Sequence, residues 1–261
     1  MKKDFCIITY ASGEPYFSES RNLKNLCEQI NINFKLYNSY WLKKTDFYAK
    51  NKDLLTKKKS GYCAWKPYII LDALKYYNKV LYLDSSMLFD VSHIQEYIKL
   101  PGYLKTTETP LQCKKYTKHK TFEIMKCDSR KYWNANQGWA GTILVNQRAK
   151  KFLNEWLYYC QIESCISDEY NRSEEPEVKY CLFDQGIFSI LIKKYNIKLL
   201  QNPQNGFGYF SDTREPGHAQ YIWEKFGKNI INKQLLLGDK FHKKYKESGG
   251  GWICSAMLES T

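Results

Sequence analysis

The 261-residue sequence has no CxxC pair, no GxGxxG run, no arginine-rich block and no stretch of about 18 apolar residues. Each absence removes a class of function. Without CxxC there is neither a zinc ribbon nor a dithiol redox pair. Without GxGxxG a dinucleotide cofactor is not suggested. Without clustered arginines, zinc-finger spacing or an RNA-binding motif, a nucleic acid is the weakest of the partners a basic chain could have. Without a long apolar run there is no transmembrane segment to predict. The opening MKKDFCIITYASGE has a positive start, but its apolar run is too short for a signal-peptide core and reads as a first strand.

What the chain does have is charge, thiols and rings. Lys plus Arg number 40 against 27 Asp plus Glu, a formal net charge of +13. An anionic small substrate such as a nucleotide diphosphate, or peripheral contact with an anionic membrane surface, would answer that charge. The Lys57-Lys58-Lys59 and Lys114-Lys115 runs read as solvated faces. The nine cysteines are an odd number scattered singly, for which a reducing, cytoplasmic setting is the simplest account. At 43% hydrophobic the chain can build a packed core. Its 16% aromatic content suits sugar-stacking walls and ordinary cores alike.

The sequence is organised around Gly61 to Asp90, GYCAWKPYIILDALKYYNKVLYLDSSMLFD. Pro67 suits the first turn of a helix, where its missing N–H would be unpaired anyway. Ile70, Leu74 and Tyr77 recur at helical spacing, Asp72 falls on the opposite, water-facing side, and Asn78 closes the helix. Val80 to Leu83 form a continuous apolar run suited to a parallel strand covered on both faces. Asp84-Ser85-Ser86 follow at once. In open α/β sheets ligands bind beyond the carboxyl ends of the strands, and a carboxylate there is costly unless it faces a cation or a ligand. Lys66, just before this helix, can reach a phosphate as a point charge, and Trp65 can wall a pocket or anchor the helix.

Around this stretch, Phe5 to Tyr10 reads as a first strand, Ala11 to Pro15 as a loop, and Phe17 to Ile30 as a helix. That is the opening of a nucleotide-binding α/β unit. Phe34 to Tyr37 is a second short strand, and Asn38 to Lys59 a polar, partly helical segment. Ser92 can cap a short helix through Leu100. Residues 101–120 lack periodicity and are expected to be a mobile loop. Asn134 to Gly138 reads as a turn and Trp139 to Val145 as a strand whose Gly141 allows close approach. Helices are predicted over Ala149 to Gln161 and Asp184 to Lys194, and a short strand over Ile197 to Leu200. Beyond Gln201 no regular pattern emerges.

On the segments GYCAWKPYIILDAL, VLYLDSS, YTKHKTFEIMKCDSRKYW, NQGWAGTILVNQRAKKFLNEWLYYCQ, ISDEYN and FDQGIFSILIKKYNI, the chain resembles a family of small bacterial and viral glycosyltransferases of the GT-A fold. The resemblance runs over roughly residues 5 to 205, and the WKPYII and DQ segments are specific together. It implies an α/β fold with a mostly parallel twisted central sheet and helices on both faces. Residues 1–205 would form the catalytic domain and 206–261 an extension packed on it, with a loosely ordered tail. It also implies transfer of a sugar from a nucleotide-diphosphate sugar to a hydroxyl of a glycan or glycolipid, with Mn²⁺ or Mg²⁺. The chain departs from the family at Asp84-Ser85-Ser86, where an aspartate, a small residue and glycine are usual, and it carries no full Asp-x-Asp. A non-catalytic nucleotide- or glycan-binding protein that has kept the fold is the competing reading.

Site residues follow from the same resemblance. Asp84 is the expected metal ligand, with Ser86 reaching the metal through water and Ser85 beside the donor. Thr9, Tyr10 and Ala11 would flank the nucleobase, and Trp65 and Lys66 would complete the donor side. Trp139, Ala140 and Gly141 would line the donor sugar. Asp184, with Gln185, would meet the acceptor, Asp184 activating its hydroxyl if the reaction inverts configuration and orienting substrate if it retains. A carboxylate in the first turn of a helix also simply suits the helix dipole. His242, in GDKFHKKYK, is either a late metal ligand or a surface histidine among lysines.

Overall fold

A computed structural model describes residues 2–89, 91 and 94–201, and the backbone of 210–212. Its centre is a five-stranded sheet. The strands are β1 (Lys3–Ala11), β2 (Phe34–Asn38), β3 (Tyr77–Leu83), β5 (Leu104–Lys105) and β8 (Thr142–Asn146). They lie in the order β2-β1-β3-β8-β5. β1 runs parallel to both β2 and β3, and β8 runs antiparallel to β3 and β5. All but β8 therefore point the same way, the mostly parallel arrangement the sequence implied.

Strand alternation sorts the side chains onto two faces. Ile7, Leu81, Leu83 and Leu144 pack with Leu23, Leu26 and Cys27 of helix α1 (Tyr16–Gln29). Cys6, Ile8, Val80, Tyr82, Ile143 and Val145 turn the other way. They meet α2 (Trp65–Ala73), α3 (Lys150–Cys160) and α4 (Phe183–Lys194). On α3 the buried set is Phe152, Leu153, Trp156 and Cys160, the stripe of an amphipathic helix. Each such side chain, fully buried, contributes about 1.5–3 kcal/mol. Because period 2 puts Tyr82 on the α2–α4 face, whatever follows it by two residues starts from that face as well.

Four expectations are corrected. Helix α2 ends at Ala73 rather than Asn78, because Lys75 and Tyr76 close tight turns onto Asp72 and Ala73 and Tyr77 already pairs with Lys3 in the sheet. Asp72 is buried, not water-facing: α2 lies against β2, where Tyr37 Oη donates to it at 2.7 Å and Lys35 Nζ at 3.0 Å. Residues 101–120 are structured. They hold β5, strand β6 (Glu108–Gln112) and the helix Cys113–Tyr116, with β6 pairing to β7 (Asn136–Gly138), where the sequence suggests a turn. The threonines that hide the pattern are β-branched, and their hydroxyls are satisfied by backbone: Thr106 donates to Trp139 O at 2.6 Å and Thr109 to Gln137 O at 3.2 Å. Finally, among the described residues Ile197 to Leu200 makes a single bridge, Thr107 to Leu200. Strand β4 (Met87–Phe89) leaves the Asp84 turn and pairs with β9 (Phe210–Asp212). Ser92 and His242 lie outside the described residues.

Candidate active site

Three chain segments converge where β3 ends. The first is the end of β3 itself. Asp84 N donates to Gly141 O at 2.9 Å, and Met87 N to Asp84 O at 2.9 Å, so the carboxylate sits on a fixed turn. Tyr82, two residues back, donates its hydroxyl to Asp84 Oδ1 at 2.5 Å. The Asp84 side chain is 34% exposed, so it looks outward from a buried base. Gly141 is required by this proximity: a Cβ there would lie 2.7 Å from Trp139 Nε1 and 3.0 Å from Asp84 Oδ2.

The second segment is the entry to α2. Lys59, Ser60, Gly61, Tyr62 and Cys63 all have positive φ, between 51° and 77°, a complete left-handed turn with one glycine. Left-handed backbone costs about 1–2 kcal/mol for each residue bearing a Cβ, so packing must impose it. Tyr62 packs on Phe183 with ring centroids 5.4 Å apart and planes tilted by 39°, Lys58 pairs with Asp168 at 2.6 Å and Lys57 pairs with Glu163. The lysine run expected to be a solvated face is thus partly a set of tethers. The turn delivers Trp65 and Lys66 to the sheet. Trp65 stacks on Tyr10 at 3.8 Å, closing the end of β1.

The third segment is the start of α4, where Asp184 is almost fully buried and its carbonyl accepts from Trp156 Nε1 at 3.1 Å. Lys66 joins all three. Its buried Nζ donates to Ala140 O at 3.1 Å and lies 3.2 Å from Asp184 Oδ2 and 3.4 Å from Asp84 Oδ1. Burial opposes its charge, but Asp184 and then Asp84 outweigh that and hold the ammonium above the ordinary lysine range. For Asp184, burial dominates and pushes its carboxyl up to about 6, against the pull of Lys66. With its three N–H directions facing a carbonyl and two carboxylates, Lys66 meets a phosphate only by giving one of them up.

The structure therefore brings Asp84, Lys66, Asp184, Ala140 and Gly141 together, with Trp139 over Gly141 and Trp65 against Tyr10. Thr9 and Ala11 are buried at the end of β1, and the Thr9 hydroxyl and Trp65 Nε1 have no hydrogen-bond partner among the described residues. Ser85 Oγ donates to Glu19 Oε2 at 3.0 Å, while Ser86 Oγ is buried without a partner among them. Gln185 spends both ends of its amide inside the protein: Oε1 accepts from Ala140 N at 3.1 Å and Nε2 donates to Gln137 at 2.9 Å. Sequence reasoning misses Tyr82, which period 2 places on the same face as Asp84, and Gln137, which carries no signal.

As to a metal, Asp84 is a carboxylate 34% exposed at the turn, and Ser86 Oγ on the same turn has no hydrogen-bond partner among the described residues. Hard divalent cations take one or two carboxylates and complete their shell with phosphate oxygens and water, so this oxygen set fits Mg²⁺ or Mn²⁺. No group of three or more His, Cys, Asp or Glu among the described residues could hold a metal unaided.

No protein-family model and no curated protein matches the sequence. Among the solved structures to which the chain is similar are several glycosyltransferases. One, involved in the glycosylation of the major capsid of PBCV-1, is 12% identical over 82% of this chain and 83% of that one, with a TM-score of 0.43. Mouse xyloside xylosyltransferase 1 is 9% identical over 85% and 93%, with a TM-score of 0.44. A Drosophila galactosyltransferase 7, solved with manganese, UDP-Gal and xylobiose, is 10% identical over 83% and 74%, with a TM-score of 0.40. Likeness at this level leaves the reaction to the side chains.

Proposed function

We propose that the chain is a GT-A-type glycosyltransferase that moves a sugar from a nucleotide-diphosphate sugar to a hydroxyl of a glycan or glycolipid. The observation that carries this is the convergence of two carboxylates from different elements, Asp84 and Asp184, on the one buried ammonium of Lys66 beyond the carboxyl end of the parallel strands. Sugar transfer breaks the bond from C1 to the phosphate oxygen, whose electron pair leaves with the nucleoside diphosphate, and forms a bond from C1 to the acceptor oxygen. The acceptor loses a proton as it attacks. Asp184, pushed up to about 6, is mostly ionised at neutral pH yet basic enough to take that proton. Its Oδ2 lies 3.2 Å from the Lys66 ammonium, which favours the ionised form needed to accept the proton.

On the donor side Asp84, with Ser86, would hold a divalent cation, which when bound neutralises charge on the departing diphosphate. Trp139 and the Ala140–Gly141 backbone form the wall beside Asp84, where a glycine lets a sugar come close. Thr9, Tyr10, Ala11 and Trp65 form the far end, suited to a flat nucleobase. Residues 206–261 are proposed as an extension of the same domain. A cytoplasmic site of action is supported by the eight described cysteines, none of them in a disulfide. No helix among the described residues is long and apolar enough to cross a membrane.

The test is thermal stabilisation by nucleoside diphosphates with and without Mn²⁺, followed by donor hydrolysis over a panel of nucleotide sugars. Stabilisation together with hydrolysis of one donor supports transfer. Stabilisation without turnover of any donor would instead identify a nucleotide-binding protein that has kept the fold.

A further inference from the structure

A line of hydrogen bonds runs from a buried threonine to the Lys66 ammonium. Gln137 Nε2 donates to Thr117 Oγ1 at 3.2 Å, and Gln185 Nε2 donates to Gln137 Oε1 at 2.9 Å. Ala140 N donates to Gln185 Oε1 at 3.1 Å, and Ala140 O accepts from Lys66 Nζ at 3.1 Å. The direction of this line is fixed from one end. A backbone N–H can only donate, so Gln185 must turn its oxygen to Ala140 and its NH₂ to Gln137. Gln137 must then offer oxygen to Gln185 and NH₂ to Thr117. Gln137 is 0% exposed and Thr117 only 4%, and Gln137 spends both ends of its amide on Thr117 and Gln185. Gly186 makes room for the far end, since a Cβ there would lie 2.6 Å from Thr117 Oγ1.

We propose that Gln185 and Gln137 are positioning residues that fix the Ala140 backbone and, through the Ala140 carbonyl, the place of the Lys66 ammonium between Asp84 and Asp184. This deepens the glycosyltransferase reading and rests on it for its kinetic consequence. It also gives Gln185 a role other than acceptor contact. The Ala140 backbone is gripped on both sides of its Cα, by Gln185 at the N–H and by Lys66 at the carbonyl, and the next carbonyl, of Gly141, receives Asp84 N. Loss of either glutamine leaves a buried donor or acceptor unmatched along the line, and the backbone at Ala140 is free to shift.

The test compares Gln185→Met, Gln137→Met and the double variant by steady-state kinetics. In parallel, acylation of Lys66 by a small anhydride is followed by mass spectrometry. Each single variant is expected to lower kcat about tenfold to a hundredfold with acceptor KM within about twofold. The double variant should be no worse than the poorer single, because both break one line. Lys66 should acylate faster in all three than in the wild type. The proposal is overturned if Gln137→Met matches the wild type in kcat and Lys66 acylation while Gln185→Met raises acceptor KM, the pattern of a direct acceptor ligand. If Gln137→Met does not fold, Thr117→Val breaks the same line from its far end and carries the same expectations. Should the wild type transfer no sugar at all, the reaction reading fails by itself, and Lys66 acylation still decides whether the line positions the ammonium.

Discussion

Two buried carboxylates sit beside lysines on the same side of the sheet, and their surroundings shift them in opposite directions. Asp72 is one carboxylate served by two ammoniums and a phenol: Lys35 at 3.0 Å, Lys75 at 3.1 Å and Tyr37 at 2.7 Å. Burial opposes its charge, yet the hydrogen bonds from Tyr37 and Lys35 win and hold its carboxyl below the ordinary range. Asp184 has one ammonium, and must share it with Asp84. Burial then wins and pushes it up to about 6. The ratio of donors to carboxylates, rather than burial alone, separates the two. A saturated carboxylate holds α2 to β2. An undersupplied one shares its single ammonium with Asp84 beyond the strand ends, where ligands of such sheets arrive.

The widest separation between the two clusters should appear in turnover. Asp84→Ala removes the outward-facing charge of the undersupplied cluster and is expected to lower kcat about a thousandfold, by the scale of fixed-charge stabilisation in active sites. Because the Asp84 side chain is a third exposed, melting should barely change. Asp184→Asn keeps shape and loses the base, and about a hundredfold or more in kcat should go with it. Nucleoside-diphosphate affinity should stay within a few fold, as read by calorimetry. Comparable turnover in either variant and the wild type would remove that residue from the mechanism.

Between the two clusters pH should act with opposite sign. The raised carboxyl of Asp184 favours the protonated form in the folded chain. Its contribution is fully present below the ordinary aspartate pKa near 4 and is lost as pH rises through about 6. A carboxyl displaced that far from its ordinary value changes stability by about 3 kcal/mol across the interval. Stability should therefore fall more steeply from pH 4 to pH 6 in the wild type than in Asp184→Asn, measured by urea denaturation at each pH. Over the same interval activity should rise, because only the ionised carboxylate accepts a proton. An identical stability slope in both proteins would show that Asp184 carries no raised pKa.

The contrast also shows what is and is not legible in the sequence. Val80 to Leu83 ending in Asp84 is legible because apolar runs and strand ends are local features, and so is the start of α4 at the Phe183–Asp184 pair. Asp72 is misjudged because helical periodicity says which residues share a face, not what stands opposite. A neighbouring strand carrying Lys35 and Tyr37 makes the polar side an inner one. Residues 101–120 are misread because threonine hides its β-branched character behind a hydroxyl that folding later satisfies. Lys66 is placed in the site, but its use is not legible. That depends on Asp184, which is far along the chain and arrives through a fold that no local pattern reports.

The smallest effect is expected where the donors are most plentiful. Asp72→Asn leaves an amide oxygen that can still accept from Tyr37, while its NH₂ faces two ammoniums that cannot accept. Lys75 is 62% exposed and Lys35 31%, so both can swing toward water rather than stay buried and unpaired. The loss should be about 1–2 kcal/mol, the scale of one charge-assisted hydrogen bond, with kcat unchanged. Its pH signature follows from the lowered carboxyl: the wild-type advantage is present above the ordinary aspartate pKa and disappears as pH falls through the folded-state value. Urea midpoints for the two proteins should therefore differ at pH 7 and converge in acid. A fall in kcat of more than about threefold in Asp72→Asn, with an unchanged midpoint at pH 7, would mean that the cluster on α2 is coupled to catalysis. The division between a holding carboxylate and a working one would then be wrong.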